Sequence, residues 1–204
     1  MSRVVDYYIA PLSPWSYLGH ARFSAIARNA GATVRVMPVD INEVFAVSGG
    51  LPLAQRPAQR QAYRLVELER FSRHLDLPLN LHPRHFPVSP HLAAQLIVAV
   101  VQRDGQDAAM RMCAAVFAAV WAQERDISNP AVLAKLIQEC RLPAQRLEEA
   151  LSDEVTAQYE ANTRRAVATQ IFGAPSYVID GELYWGQDRL DFVSKALAGP
   201  RPRE

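Results

Sequence analysis

Apolar residues fall in short strand-like runs at the two ends of this chain and at helical spacing between them, and that change outlines its architecture. Val4-Val5-Asp6-Tyr7-Tyr8-Ile9 is a short run of strand-forming residues, and from Tyr17 to Ala27 the apolar positions fall near helical spacing. Thr33 to Val39, entered through Gly31, returns to β-branched strand character. Such a strand–helix–strand unit favours a parallel pair with a right-handed crossover. Between Glu43 and Pro57 the pattern is lost amid Gly49-Gly50 and two prolines, so an irregular linker or a substrate-proximal loop is expected. Helical spacing resumes over 59–75 and breaks at four prolines between Pro78 and Pro90. It then continues through 92–101, 108–122, 130–140, 143–151 and 155–168. Strand character returns only at Ser176–Ile179 and Glu182–Trp185, separated by Asp180-Gly181, a strong hairpin signal. A last helix is expected over 190–197, and Gly199-Pro200-Arg201-Pro202 marks a frayed tail. The outline is α/β: βαβ, a long helical insertion, then ββα on one open sheet.

Local pattern singles out Ser13-Pro14-Trp15-Ser16, where a redox protein of this outline would carry Cys-Pro-Xaa-Cys. Ser13 falls at the N-cap of the first helix and Pro14 at its first position, where the missing N–H costs nothing. A plain cap worth about 1 kcal/mol is one reading. The other is a hydroxyl at a positive helix end that stabilises an anion such as a bound thiolate. A serine pair cannot form a disulfide, so the thiol must come from elsewhere. Gly-x-Ser-x-Gly is absent, and nothing local supplies Ser13 with a base.

Composition narrows the partners. With 204 residues, half of them hydrophobic, and 22 Lys plus Arg against 21 Asp plus Glu, the chain lacks a strong overall field for nucleic acid. Cys113 and Cys140 are isolated, and the histidines show no H-E-x-x-H, so no metal is assigned. No Gly-rich nucleotide motif is present. The longest apolar stretch, around Leu92 to Val101, is too short to span a membrane, and no leader pattern opens the chain. A cytoplasmic protein without membrane or nucleic-acid partners is expected.

Other candidates carry two readings each. Ala174-Pro175 starts a strand either as an ordinary trans proline or as a cis bond that presents the backbone of Ala174 to an extended ligand. Asp188 caps the last helix or meets a ligand ammonium, beside Gln187 as a carboxylate partner. Trp121 belongs to the core or forms an aromatic wall. Tyr63, Arg60 and Arg64 occupy neighbouring turns of one helix, as solvated groups or as a phenol with cations for a substrate.

Together these segments resemble the 2-hydroxychromene-2-carboxylate isomerases, relatives of kappa-class glutathione transferases in the DsbA-like thioredoxin superfamily. The likeness rests on Leu12-Ser13-Pro14-Trp15-Ser16-Tyr17-Leu18, on Tyr63, Arg70, Phe86-Pro87 and 117–121, and above all on Phe172-Gly173-Ala174-Pro175 with Tyr184-Trp185-Gly186-Gln187-Asp188-Arg189-Leu190. It departs from those relatives at Glu67, Phe71 and Ser89. The resemblance implies a thioredoxin-like domain from 1–42 and 169–204 and an inserted all-helical domain over 43–168. It implies glutathione as cofactor, its sulfur at Ser13, its backbone at Ala174 beside a cis Pro175, and its γ-glutamyl end at Gln187 and Asp188. A small aromatic or chromene carboxylate is the implied substrate, with Trp121, Tyr63, Arg60 and Arg64 as candidate contacts, in a homodimer. The implied reaction is isomerisation to trans-o-hydroxybenzylidenepyruvate by transient thiolate addition. Two alternatives stay open: a kappa-like transferase or peroxidase on another electrophile, and a non-catalytic peptide-binding module.

Overall fold

A computed structural model describes residues 2–199, so Pro200-Arg201-Pro202 of the expected tail lies outside the described residues. Strands β1 (Val4–Ile9) and β2 (Thr33–Pro38) flank helix α1 (Pro14–Asn29) and pair in parallel, with Tyr7 opposite Val36. Strands β3 (Ser176–Ile179) and β4 (Glu182–Trp185) form the expected hairpin. Its turn uses Asp180 and Gly181, both at positive φ. β3 runs antiparallel to β1, setting Tyr177 against Tyr7, and the sheet order is β2-β1-β3-β4. The two ends of the chain therefore share one sheet.

Between them lie α2 (Ile41–Ser48), α3 (Ala58–Leu75), α4 (His91–Asp104), α5 (Gln106–Trp121), α6 (Pro130–Glu139), α7 (Arg146–Glu149) and α8 (Asp153–Ala168), with α9 (Leu190–Ala198) after the hairpin. Alternation along the strands divides the burial between two faces. Val5, Tyr7, Ile9, Val36, Tyr177 and Ile179 enter the main core with α1, α4, α5 and α9. Tyr8, Met37 and Val39 enter a smaller cluster with Val44 of α2 and Ala166 of α8. On this second face the buried Asp6 carboxylate pairs with Arg35 and, at 2.9 Å, with Arg165, which ties α8 to the sheet.

Two expectations need correction. The segment 43–57 is not wholly irregular: α2 occupies Ile41–Ser48, and a single 3-10 turn follows at Leu53–Gln55. Asp40 caps α2 by accepting from Asn42 N at 2.9 Å, and Gly49 ends it at φ 76°. The local signal was Asp40-Ile41-Asn42-Glu43, a capping pattern overshadowed by Gly49-Gly50. Conversely, the helix expected over 143–151 shrinks to the four residues of α7. There Arg146 forks onto Asp104 at 2.6 and 2.9 Å and reaches Glu149 at 2.8 Å, so a tertiary ion-pair cluster organises what local propensity left short.

The main core contains a buried basic group. His20 Nε2 lies 2.9 Å from the Met110 carbonyl, which can only accept, so Nε2 carries the proton and Nδ1 accepts from Tyr7 OH at 3.2 Å. One imidazole thereby joins α1, α5 and β1. Burial pushes its pKa down from 6.5 to about 4, against the opposing effect of the Met110 carbonyl.

Candidate active site

The start of α1 is held by its own cap. Ser13, in extended conformation (φ −78°, ψ 116°), accepts from Ser16 N at 3.1 Å, and Pro14 follows in the first turn. The same hydroxyl donates to the Ala174 carbonyl at 3.0 Å, although 161 positions separate the two residues. The Ala174–Pro175 bond is cis, and so is Phe86–Pro87. Ser13 and Ala174 are both partly buried, and the first turn of α1 holds no acidic side chain. The positive helix end is thus not neutralised from within. Among the described residues no histidine or carboxylate hydrogen-bonds to Ser13, so this hydroxyl has no base to make it a nucleophile. It is built to cap, donate and position.

The cysteines do not make up for the missing sulfur. Cys113 is fully buried, and burial raises its pKa. Burial also raises that of Cys140, opposed by the nearby Arg111. A redox-active thiol needs the opposite shift.

A turn between β4 and α9 stands beside this centre. Gly186 N donates to the Pro175 carbonyl at 2.9 Å, at a φ of 101° that favours glycine. A Cβ there would stand 2.5 Å from Asp188 Oδ1. Gln187 is only 2% exposed. Arg22 of α1 donates to its side-chain oxygen and, at 3.0 Å, to its main-chain carbonyl. Asp188 is instead exposed and pairs with Arg189 at 2.6 Å. It makes no side-chain cap to α9. Phe172 and Trp185, rings 4.8 Å apart, form an exposed aromatic pair on the same flank. Gly173 lies under the indole, where a Cβ would come within 2.3 Å of Trp185 Nε1.

The other substrate candidates lie around α3. Its Phe71 meets Trp15 of α1 edge-on, ring centroids 6.1 Å apart. Tyr17 OH donates to the Pro78 carbonyl at 2.6 Å, so the first turns of α1 also fix the segment after α3. Arg64 lies over Phe86 and Trp121, 5.6 Å from each ring centroid. Burial pulls its pKa down to about 10, and the charge of Arg56 adds to this. Trp121 itself is fully buried, so its wall role is indirect: it underlies Arg64. Arg60 and Tyr63 face solvent, Tyr63 at 59% exposure. Arg64 and Phe86 line a cavity of about 360 Å³ with Leu53, Leu65 and Leu81. Among the described residues no group of three or more His, Cys, Asp and Glu side chains could hold a metal ion. No described helix is long and apolar enough to cross a membrane.

A family model for the DSBA-like thioredoxin domain matches residues 4–198. The chain belongs to this DSBA-like thioredoxin family. Within it, the chain is 28% identical over 199 residues to the 2-hydroxychromene-2-carboxylate isomerase of Sphingobium xenophagum, covering 97% of this chain and 99% of that one. A solved structure of 2-hydroxychromene-2-carboxylate isomerase superposes with a TM-score of 0.78 at 26% identity, over 96% of this chain and 94% of the other. Glutathione S-transferase kappa 1 of Caenorhabditis elegans is 23% identical over 209 residues, covering 97% of this chain and 92% of that one.

Against this DSBA-like frame, the structure unites Ser13, Ala174 and Pro175 directly and sets Gln187 and Asp188 beside them through Gly186. It separates Arg64 from Tyr63 and Arg60. Sequence reasoning passed over Arg22 and took Phe86 only as part of the resemblance, without a role at the site. Arg22 carried a signal, a charge on the face of α1 that also carries Leu18 and Gly19. Nothing local placed Phe86 beside Arg64, because only the path of a proline-rich segment brings the two together.

Proposed function

We propose that this protein is a cytoplasmic, homodimeric, glutathione-dependent isomerase that converts 2-hydroxychromene-2-carboxylate to trans-o-hydroxybenzylidenepyruvate. The observation that carries the reading is the Ser13 hydroxyl, which sits at a helix N-terminus and against the carbonyl of Ala174 with no base of its own. A hydroxyl in that setting suits an anion supplied by a ligand. The donor set fits glutathione. Ser13 and the α1 N-terminus offer positive potential for a thiolate, Ala174 offers backbone beside a cis proline, and Asp188 offers an accessible carboxylate for an ammonium group. Full-length similarity to isomerases of that name and to a kappa-class transferase supports the same reading.

Glutathione, when bound, would supply a catalytic thiolate nucleophile for the conjugated chromene and would be recovered intact, so that none is consumed. Ser13 turns its proton from Ala174 toward the sulfur, and the helix end favours the charged form by about 1.4 kcal/mol for each pKa unit lowered. Gln187, expected as a γ-glutamyl contact, holds the turn through Arg22. We assign the ligand ammonium to Asp188.

The test is to follow 2-hydroxychromene-2-carboxylate spectroscopically with purified protein, with and without glutathione, while counting the glutathione that remains. Rapid isomerisation that needs glutathione and leaves it intact is the expected outcome. Glutathione binding with no isomerisation rejects this reaction and favours a second reading, a transferase or peroxidase on another electrophile, which the kappa-class relative supports. Peptide binding without any glutathione-dependent rate favours the non-catalytic module.

A further inference from the structure

Helix α1 grips the turn that carries Asp188 at two places. Gly19 is the first. With no side chain there, Gln187 lies against the helix; a Cβ would stand 2.8 Å from Gln187 Cβ and 3.2 Å from the Tyr177 hydroxyl. Arg22 is the second, one turn further along the same face. It donates to the Gln187 side-chain oxygen and, at 3.0 Å, to the Gln187 main-chain carbonyl. Gln187 is 2% exposed, so its amide serves the helix. Its neighbour Asp188 is exposed and pairs with Arg189, also exposed, which leaves the carboxylate open to a ligand.

Electrostatics ties the same groups together. Burial lowers the pKa of Arg22, and the charges of Tyr177, Asp191 and Asp188 oppose that shift. The two carboxylates therefore feel the guanidinium without being consumed by it. Elsewhere the turn has one further anchor, the bond from Gly186 N to the Pro175 carbonyl, which fixes where it begins. Arg22 fixes where it goes next. A carboxylate on a short turn holds an ammonium group well only if its backbone is set before the ligand arrives, because ordering it afterwards costs affinity.

We propose that Arg22 is a positioning residue that makes the site selective for thiols bearing an ammonium group. It clamps Gln187 to α1 and so presets Asp188, whereas the sulfur end of the ligand, at Ser13, does not depend on it. A planar guanidinium spans two oxygens in fixed geometry, which a lysine only partly reproduces. The selectivity rests on the assignment of the ligand ammonium to Asp188 above; the clamp itself does not.

Calorimetric titration of the full chain with glutathione and with glutaryl-cysteinylglycine, the same thiol without its amino group, tests the role. The unaltered protein should bind glutathione about tenfold more tightly than the analogue, in keeping with one exposed charged contact. Arg22→Met should lose most of that preference while its affinity for the analogue stays unchanged, and Arg22→Lys should keep part of it. Adding Asp188→Ala to Arg22→Met should weaken glutathione no further, because both act on one contact. The ultraviolet absorbance of the bound thiolate at saturation should be the same in Arg22→Met as in the unaltered chain. An intact preference in Arg22→Met overturns the proposal and leaves the thiolate site standing. Equal losses for both thiols overturn it as well, since a merely structural support would act on both. Equal binding of the two thiols by the unaltered chain removes the ammonium from Asp188 and the selectivity with it, and binding of neither discards the thiolate site itself. If Arg22→Met fails to fold, Gly19→Ala decides: alanine suits the helix, but its Cβ pushes Gln187 off α1, and the same selective loss is expected. An unchanged preference in that variant overturns the proposal.

Discussion

Arg22 and Arg64 are both partly buried arginines on helices beside the candidate site, yet they answer burial in opposite ways. Arg22 donates to two oxygens of one residue, Gln187, and so fixes the turn that carries Asp188 to the flank of α1. Arg64 finds only two aromatic rings. A guanidinium with internal acceptors is a brace, whereas Arg64 rests on aromatic faces and has no such role. His20 marks a third solution. Buried more deeply than either, it gives up its charge and serves as a neutral hydrogen-bonding hub. Burial depth and available acceptors thus decide whether a basic side chain braces a turn, stays charged against aromatic faces or gives up its proton.

The largest test concerns the neutral case. Between pH 6.5 and about 4 the unfolded chain accepts a proton on His20 that the folded chain refuses, so stability falls as the pH falls through that window. The drop in pKa from 6.5 to about 4 corresponds to about 3 kcal/mol. Urea unfolding at several pH values should show this slope, and His20→Gln should flatten it; an unaltered slope in the variant would reject the assignment.

Next comes the chemistry that the Arg22 brace supports. Ser13→Ala should slow glutathione-dependent isomerisation about a hundredfold and raise the pKa of the bound thiol, at a stability cost of only about 1 kcal/mol for the lost cap. Ultraviolet absorbance of the thiolate, read beside turnover, checks both, and an unchanged thiolate fraction would remove Ser13 from the mechanism.

The comparison itself is broken most directly by a pair of substitutions. Arg22→Met should lower unfolding stability by about 2 kcal/mol, because two acceptors on Gln187 lose a charged donor. Arg64→Met should change it by less than about 0.5 kcal/mol, since no internal partner is stranded. Denaturant midpoints measure both, and equal losses would mean that Arg64 too is a brace. The smallest effect is expected at the edge of the site: Asp188→Ala should weaken glutathione binding about tenfold by calorimetry, in keeping with one exposed charged contact.

Much of this was legible in residue order. Short strand-forming runs marked all four strands, Asp180-Gly181 marked the hairpin, and Ser13-Pro14 marked the start of α1, because each depends on neighbours a few positions apart. The Asp40–Glu43 cap was legible as well but was outweighed by the glycines that follow it. Composition left the isolated cysteines without a redox role, and resemblance placed a cis bond at Ala174–Pro175, where the structure has one.

Tertiary structure alone decided which of these local features meet. No periodicity announces that a hydroxyl at 13 will donate to a carbonyl at 174, because that contact depends on β1 and β3 pairing across the whole insertion. The fates of Gln187, Trp121 and Arg64 were equally hidden, since amide, indole and guanidinium read the same in a string whether they face water, a partner or a cavity. Local sequence sets the conformation of each segment through short-range sterics and hydrogen bonds. The roles of polar side chains are set by burial and by acceptors that arrive from distant parts of the chain.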